Sequence, residues 1–374
     1  MAGGADDELR AACDAQPTGF TAVATAADDV ALLGATSGTT GAPKITMHFH
    51  RDILANADTF ATHVIELGPT DISASSAPLA FTFGLGGLVV FPLRTGGAAV
   101  LAERAGPLEL ARFIDELGVT VLYTAPTGYR TLVKEGRAET LAKLRVGISA
   151  GEHLPRETFE AVEAASGIRL VNGIGATEML HIFISAAGDE IRPGATGKPI
   201  PGFRAAVLDD EGHPVGPGVV GRLGVIGPTG CRYLNDPRQS NYVLNGWNVT
   251  GDTYVMDEDG YFTFVARSDS MIVTAGYNVG APEVEEIINL HPDVLECAVI
   301  GIPDAAKGDI VGAFVVPRDP SGDPEALIRS IIAHTKQRLA LYKCPRHVEI
   351  VDSLPKNPSG KLQHFVLRQQ ALAP

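Results

Sequence analysis

Thr36-Ser37-Gly38-Thr39-Thr40-Gly41-Ala42-Pro43-Lys44 is a run of glycine and hydroxyl residues that ends on a lysine. It follows the apolar residues Val30, Ala31, Leu32 and Leu33, which read as a buried strand, and precedes a helix-like stretch from about Arg51 to Leu67. A loop of this kind between strand and helix suits a polyphosphate. Glycines let backbone N–H groups close on phosphate oxygens, hydroxyls donate to them, and Lys44 offsets their charge. Spacing excludes the nucleotide loop of ordinary NTPases: Pro43 stands before Lys44 and Ile45 follows it, which breaks GxxxxGK[ST]. A flexible Gly/Thr turn has the same composition, so the remainder of the chain must decide.

At 374 residues the sequence is too long for one ordinary core, and two domains are expected. Hydrophobic residues make up 45% and charged residues 20%, the balance of a globular protein. With 30 basic and 44 acidic residues (net −14), a broad nucleic-acid surface is disfavoured. Cys13, Cys231, Cys297 and Cys344 are scattered without CxxC pairing, which argues against a zinc site or a disulfide framework. The chain opens on no charged-then-apolar leader and has no bilayer-length apolar run, so no membrane partner is expected and the cytoplasm is the default compartment.

Residues 1–29 read as a frayed helix and linker. From Val30 onward strands and helices alternate: a helix over Pro107 to Leu117, a strand over Val119 to Tyr123, a strand over Leu144 to Ser149 and a helix over Pro155 to Ala165. Leu170 and Val171 lead into a glycine-rich turn. The alternation predicts an α/β sheet with ligand loops at strand ends. From Phe203 the pattern shifts to short strands and turns, at Ala205 to Leu208, Leu223 to Ile226 and Tyr261 to Val265. After Arg267 a small α+β unit follows, with helices over Pro282 to Asn289, Pro324 to Leu339 and Leu362 to Gln370, and strands over Leu295 to Ile300, Gly312 to Val316 and His347 to Val351. The fold class is therefore α/β: a large N-terminal domain (1–268) of layered α/β with a strand-rich subdomain, and a small C-terminal domain (269–374).

Asn172-Gly173-Ile174-Gly175-Ala176-Thr177-Glu178 ends on a hydroxyl and a carboxylate. Together Thr177 and Glu178 can hold Mg²⁺ and a nucleotide phosphate, because Mg²⁺ takes few carboxylates and shares phosphate oxygens. On its own, a Thr-Glu pair after glycines is often only a helix cap. Two further stretches stand out, Trp247-Asn248-Val249-Thr250-Gly251-Asp252 with Arg267-Ser268-Asp269, and Leu354-Pro355-Lys356-Asn357-Pro358-Ser359-Gly360-Lys361. A carboxylate such as Asp252 only accepts hydrogen bonds. A lysine on a Pro/Gly-rich loop, such as Lys361, can enter a site as a point charge.

These stretches, in this order, resemble the acyl-adenylate-forming superfamily of acyl-CoA ligases, peptide-synthetase adenylation domains and luciferases. The resemblance implies that residues 36–44 form the phosphate loop, with Thr36, Ser37, Gly38, Thr39, Thr40, Gly41 and Lys44 on ATP. It implies that Glu178 meets Mg²⁺, that Gly151-Glu152 flank adenine, and that Asp252 and Arg267 contact ribose. It makes Asp269 the hinge about which a mobile small domain turns, and Lys361 the catalytic lysine beside Thr177 and Glu178. Within the superfamily, residues 47–52, 78–86 and 178–183 look most like benzoate- and 2-aminobenzoate-CoA ligases. Phe81, Phe83, Gly84 and Gly86, with Gly173 and Gly175, are then expected to shape an acid pocket. It has no carboxylate to pair with an α-ammonium, so amino-acid activation is disfavoured and a flat aromatic acid is favoured. His48-x-His50 reads as two exposed side chains that cap or line a site, not as a metal pair.

The expected activity is ATP-dependent formation of an aryl-CoA thioester through acyl-AMP, with ATP, Mg²⁺ and coenzyme A as cofactors or co-substrates. The alternatives are a stand-alone adenylation enzyme that loads a carrier protein, and an inactive fragment or non-catalytic partner subunit. Family members carry a further N-terminal block before the phosphate loop. Its absence from this sequence implies uncovered sheet edges and apolar faces, and a chain that is aggregation-prone or completed by a homodimer partner or complementing subunit.

Overall fold

The computed structural model describes residues 5–36, 44–103, 105–267, 271–274, 277–304, 308–356 and 362–371. Strands β1 (Val30–Ala35) and β2 (Ile45–Phe49) pair antiparallel, from Val30 opposite Phe49 to Ala35 opposite Ile45. Thr36 N donates to Lys44 O at 2.9 Å, which closes the pairing around residues 37–43. The glycine/hydroxyl run thus lies between two strands, where a strand and a helix were expected. Ile45 to Phe49 alternates in burial, with Thr46 and His48 buried, and a period of two is strand geometry. The helix expected from about Arg51 begins at His50 (His50–Asn56), after this second strand. Nor is β1 a buried strand: it is the edge of its sheet, with Val30 47% and Leu33 56% exposed.

The parallel part of the large domain comprises β3 (Ile72–Ser75), β4 (Ala98–Ala99), β5 (Val121–Thr124), β6 (Val146–Ser149) and β7 (Val171–Gly175). Two antiparallel strands, β8 (Ile182–Ser185) and β9 (Lys198–Pro199), complete a seven-stranded sheet in the order β4-β3-β5-β6-β7-β8-β9. Helices Pro107–Leu117 and Arg156–Ser166 cross between parallel strands. The first has Pro107 in its opening turn and Gly118 at φ +66° after it, and the second is ended by Gly167 at φ +75°; only glycine takes that backbone without cost. Their apolar faces (Leu110, Phe113, Ile114; Phe159, Val162) join Leu122, Tyr123, Ile148 and Phe183 in one core. At about 25 cal/mol per Å² of apolar surface removed from water, such packing is the main stabilising term.

A strand-rich unit follows, from β10 (Arg204–Leu208) and β11 (Val220–Ile226). Short β12 (Arg232–Tyr233) returns to the first hairpin, with Tyr233 opposite Thr46. Strands β13 (Val243–Leu244), β14 (Trp247–Met256) and β15 (Phe262–Arg267) complete a five-stranded antiparallel sheet with β10 and β11. The small domain adds β16 (Met271–Thr274), β17 (Tyr277–Gly280), β18 (Val294–Asp304), β19 (Gly308–Pro317) and β20 (His347–Ile350) as a second five-stranded sheet. Helices Ala281–Asn289 and Pro324–Lys336 bury Val284, Ile288 and Ile331 on one face, and His364–Ala371 buries Leu367 with Phe314 and Leu354 on the other. The hairpin β16–β17 had no counterpart in the expected elements. The boundary expected at 268/269 falls on residues outside the described ones.

Candidate active site

The first hairpin is the scaffold on which the site assembles. Gly34 of β1 lies so close to its neighbours that a Cβ there would stand 2.8 Å from Thr46 Oγ1 and 3.2 Å from Thr177 Cγ2. On β2, the buried His48 reaches Thr177 O at 2.7 Å through Nε2. A carbonyl only accepts, so Nε2 carries the proton. The exposed position expected for His48 is therefore corrected: the even register of β2 turns it inward, and it ties the hairpin to the Thr177 turn.

Asn172 to Gly175, expected as a glycine-rich turn, is strand β7, and the turn comes one step later as the short 3₁₀ segment Thr177–Met179. A Cβ on Gly175 would lie 2.6 Å from His181 O, and this close approach lets β7 pair with β8 and deliver Thr177 and Glu178 past the strand end. Leu180 follows at φ +73°, a conformation leucine adopts only under surrounding restraint. Thr229 Oγ1 supplies part of it, donating to Met179 O at 3.0 Å.

Lys44 and Glu178 meet here. Lys44 Nζ lies 3.4 Å from Glu178 Oε1, with side-chain exposures of 24% and 16%. Tyr233 joins them: Lys44 Nζ donates to its hydroxyl at 2.8 Å, and the hydroxyl donates to Glu178 Oε1 at 2.6 Å. Burial, then the bond to Glu178, raises the tyrosine's pKa, so the hydroxyl stays protonated and a donor. Among the described residues no group of three or more His, Cys, Asp or Glu converges as a self-sufficient metal cage. One carboxylate beside one hydroxyl instead fits Mg²⁺, a cation that keeps waters and shares phosphate oxygens.

Asp252 and Arg267 face each other across β14 and β15, with Arg267 Nη1 donating to Asp252 Oδ1 at 3.1 Å and Asp252 only 6% exposed. Gly151 stands at φ +86° after β6, and Thr127 Oγ1 lies 3.5 Å from Glu152 Oε1. Ser37, Gly38, Thr39, Thr40, Gly41, Asp269 and Lys361 lie outside the described residues.

In the expected acid pocket, Phe81 is half exposed and precedes the helical turn Thr82–Leu85. Phe83 packs against the rings of Tyr123 and His181, at 5.7 and 5.4 Å between centroids. Gly84 is needed for a backbone reason, because a Cβ there would sit 2.3 Å from Pro78 O. Gly86 opens a five-residue π-helical segment and lies against His181, whose Cδ2 would be 2.6 Å from an added Cβ. Gly173 similarly faces the Ile182 side chain of β8. His181 is buried among Phe60, Phe83 and Phe91. Burial pulls its pKa down to about 3, against a smaller upward pull from the Phe83 backbone.

Residues 3–232 match the AMP-binding enzyme family, and residues 283–361 match the AMP-binding enzyme C-terminal domain. The chain belongs to the AMP-binding enzyme family. It is 38% identical over 379 residues to the benzoate–CoA ligase of Thauera aromatica, covering 98% of this chain and 71% of that protein. The structure of the anthranilate CoA ligase AuaEII in complex with anthranoyl-AMP is 37% identical, with a TM-score of 0.88 over 98% of this chain and 71% of the other. That of ATP-bound MatB from Rhodopseudomonas palustris is 31% identical, with a TM-score of 0.89 over 97% and 72%. Against curated relatives the chain spans between 50% and 71% of their length. As a family member it has the expected α/β fold, with a large N-terminal and a small C-terminal domain. No helix among the described residues is long and apolar enough to cross a membrane.

Tyr233 is the site residue that motif reading missed. It lies on a two-residue strand outside every glycine-rich stretch, and only its pairing with β2 brings it beside Lys44. The one signal in the sequence was an aromatic residue preceding Leu234-Asn235-Asp236-Pro237, which looks like a plain surface turn.

Proposed function

We propose that this AMP-binding enzyme is an acid–CoA ligase that activates an aromatic carboxylic acid through an acyl-AMP intermediate. The convergence of Lys44 and Glu178, from segments far apart in sequence, carries the reading. A cation for the triphosphate and a carboxylate for its metal ion are what an adenylating site requires. Lys44, Thr36 and Thr177 hold phosphate oxygens, and Glu178 holds Mg²⁺, which when bound neutralises charge on the phosphates. Asp252 and Arg267 take the ribose hydroxyls. The substrate carboxylate attacks the α-phosphorus, the bond to the β-phosphate oxygen breaks, and pyrophosphate leaves. Lys361 offsets the charge that builds in that step. Rotation about Asp269, at the junction of domains 1–268 and 269–374, exchanges the face of the small domain, and the CoA thiol then attacks the mixed anhydride and releases AMP.

Two features support an aromatic acid: the packing of Phe83 on the buried His181, and the likeness to the benzoate and anthranilate ligases. Pyrophosphate release across a panel of acids tests the reading. Benzoate-type acids should exceed acetate, long-chain fatty acids and amino acids; preference for any of the latter overturns the aryl assignment.

A further inference from the structure

Tyr233 is held independently of the charges it touches. Its N–H donates to Gln239 Oε1 at 2.7 Å, its strand pairs with β2, and its ring packs against Tyr242 at 5.4 Å. The hydroxyl therefore has a fixed place, 5% of the residue being exposed. It has one proton, given to Glu178 Oε1, so it can meet Lys44 only as an acceptor. The geometry also shows which contacts are close. Lys44 and Glu178 are 3.4 Å apart, whereas each makes a shorter bond to the phenol. Lys44 Nζ lies 4.4 Å from the ring centroid as well, a cation–π contact. The phenol thus takes up the ammonium and fixes one carboxylate oxygen, Oε1.

Resting on the nucleotide reading above, we propose that Tyr233 is a positioning residue, which orients Glu178 toward a divalent cation. A hydrogen-bond donor behind a metal-binding carboxylate restricts its rotation, and loss of such outer partners lowers metal affinity about 10–100-fold.

The test is equilibrium binding of α,β-methylene-ATP to the full chain, with and without Mg²⁺, by titration calorimetry. Tyr233→Phe keeps the ring and the strand pairing and removes one oxygen. Affinity for the Mg²⁺ complex should fall about 10–100-fold while metal-free affinity changes less than about twofold. In a Glu178→Gln background, where the oriented carboxylate is already gone, Tyr233→Phe should add less than about a further twofold loss. Tyr242→Phe removes the neighbouring hydroxyl that contacts Met179 Sδ and should leave the Mg²⁺ dependence intact. Equal loss with and without Mg²⁺, or none in either, overturns the proposal and leaves the nucleotide reading standing. Failure of the parent chain to bind the analogue overturns both.

Discussion

Lys44 Nζ and Glu178 Oε1 stand 3.4 Å apart, although one residue precedes the second strand of the protein and the other follows the seventh. The hairpin and the central sheet are locked together around this pair by His48, which donates to Thr177 O, and by the close approach of Gly34 to Thr177. The fold itself therefore holds the two segments against each other.

Because both partners are mostly buried, their effects on stability should couple. Lys44→Met and Glu178→Gln should each lower the unfolding free energy by about 1–3 kcal/mol, since each leaves its partner short of a charge-assisted bond. The double variant should lose less than the sum by about 0.5–3 kcal/mol. Urea denaturation of the four proteins measures this, and strict additivity would show that the pair does not interact in solution.

Asp252 is expected to recognise the ribose. Asp252→Ala should weaken ATP binding about tenfold, in the range of one hydrogen bond to a charged group. It should change 2′-deoxy-ATP binding much less, because that ligand lacks one of the hydroxyls the carboxylate accepts from. The same loss for both nucleotides would remove the ribose role and leave Asp252 as the partner of Arg267.

Lys361→Ala should reduce acid-dependent ATP–pyrophosphate exchange by about two to three orders of magnitude, the scale for removing one electrostatic stabiliser of a transition state. Thioester formation from supplied acyl-AMP should be largely spared. Equal loss in both half-reactions would sink the assignment of this lysine to adenylation.

His181 sets a pH dependence. Unfolded histidine takes up a proton near pH 6.5, whereas the buried His181 resists it down to about 3. The unfolded state thus binds more protons between these values, and stability present above about pH 6.5 is lost as the pH falls. The slope attributable to this residue approaches about 1.4 kcal/mol per pH unit below pH 6. Denaturation of the parent and of His181→Leu between pH 7.5 and pH 5 should show a shallower decline in the variant. Parallel curves would mean that the imidazole is charged or solvated in the folded protein.

Local signals were enough for much of the chain. The run 36–44, the Thr177-Glu178 pair and the alternation of helices and strands from Pro107 to Ser166 are short-range signals: clustered glycines, a hydroxyl beside a carboxylate where a ligand is expected, and periodicities of two and 3.6. Those features were sufficient for the α/β class and for a plan of one large and one small domain. Tertiary structure alone decided what lies beside what. The residues after Leu33 could lead to a helix or to a strand, and only pairing in register with β2 made a hairpin, because a β-ladder satisfies backbone groups between segments that local sequence does not join. The same ladder turned His48 inward onto Thr177 and set Tyr233 between Lys44 and Glu178. A tyrosine on a two-residue strand has no periodicity to announce it; its role exists only because three distant segments share one sheet edge and one turn.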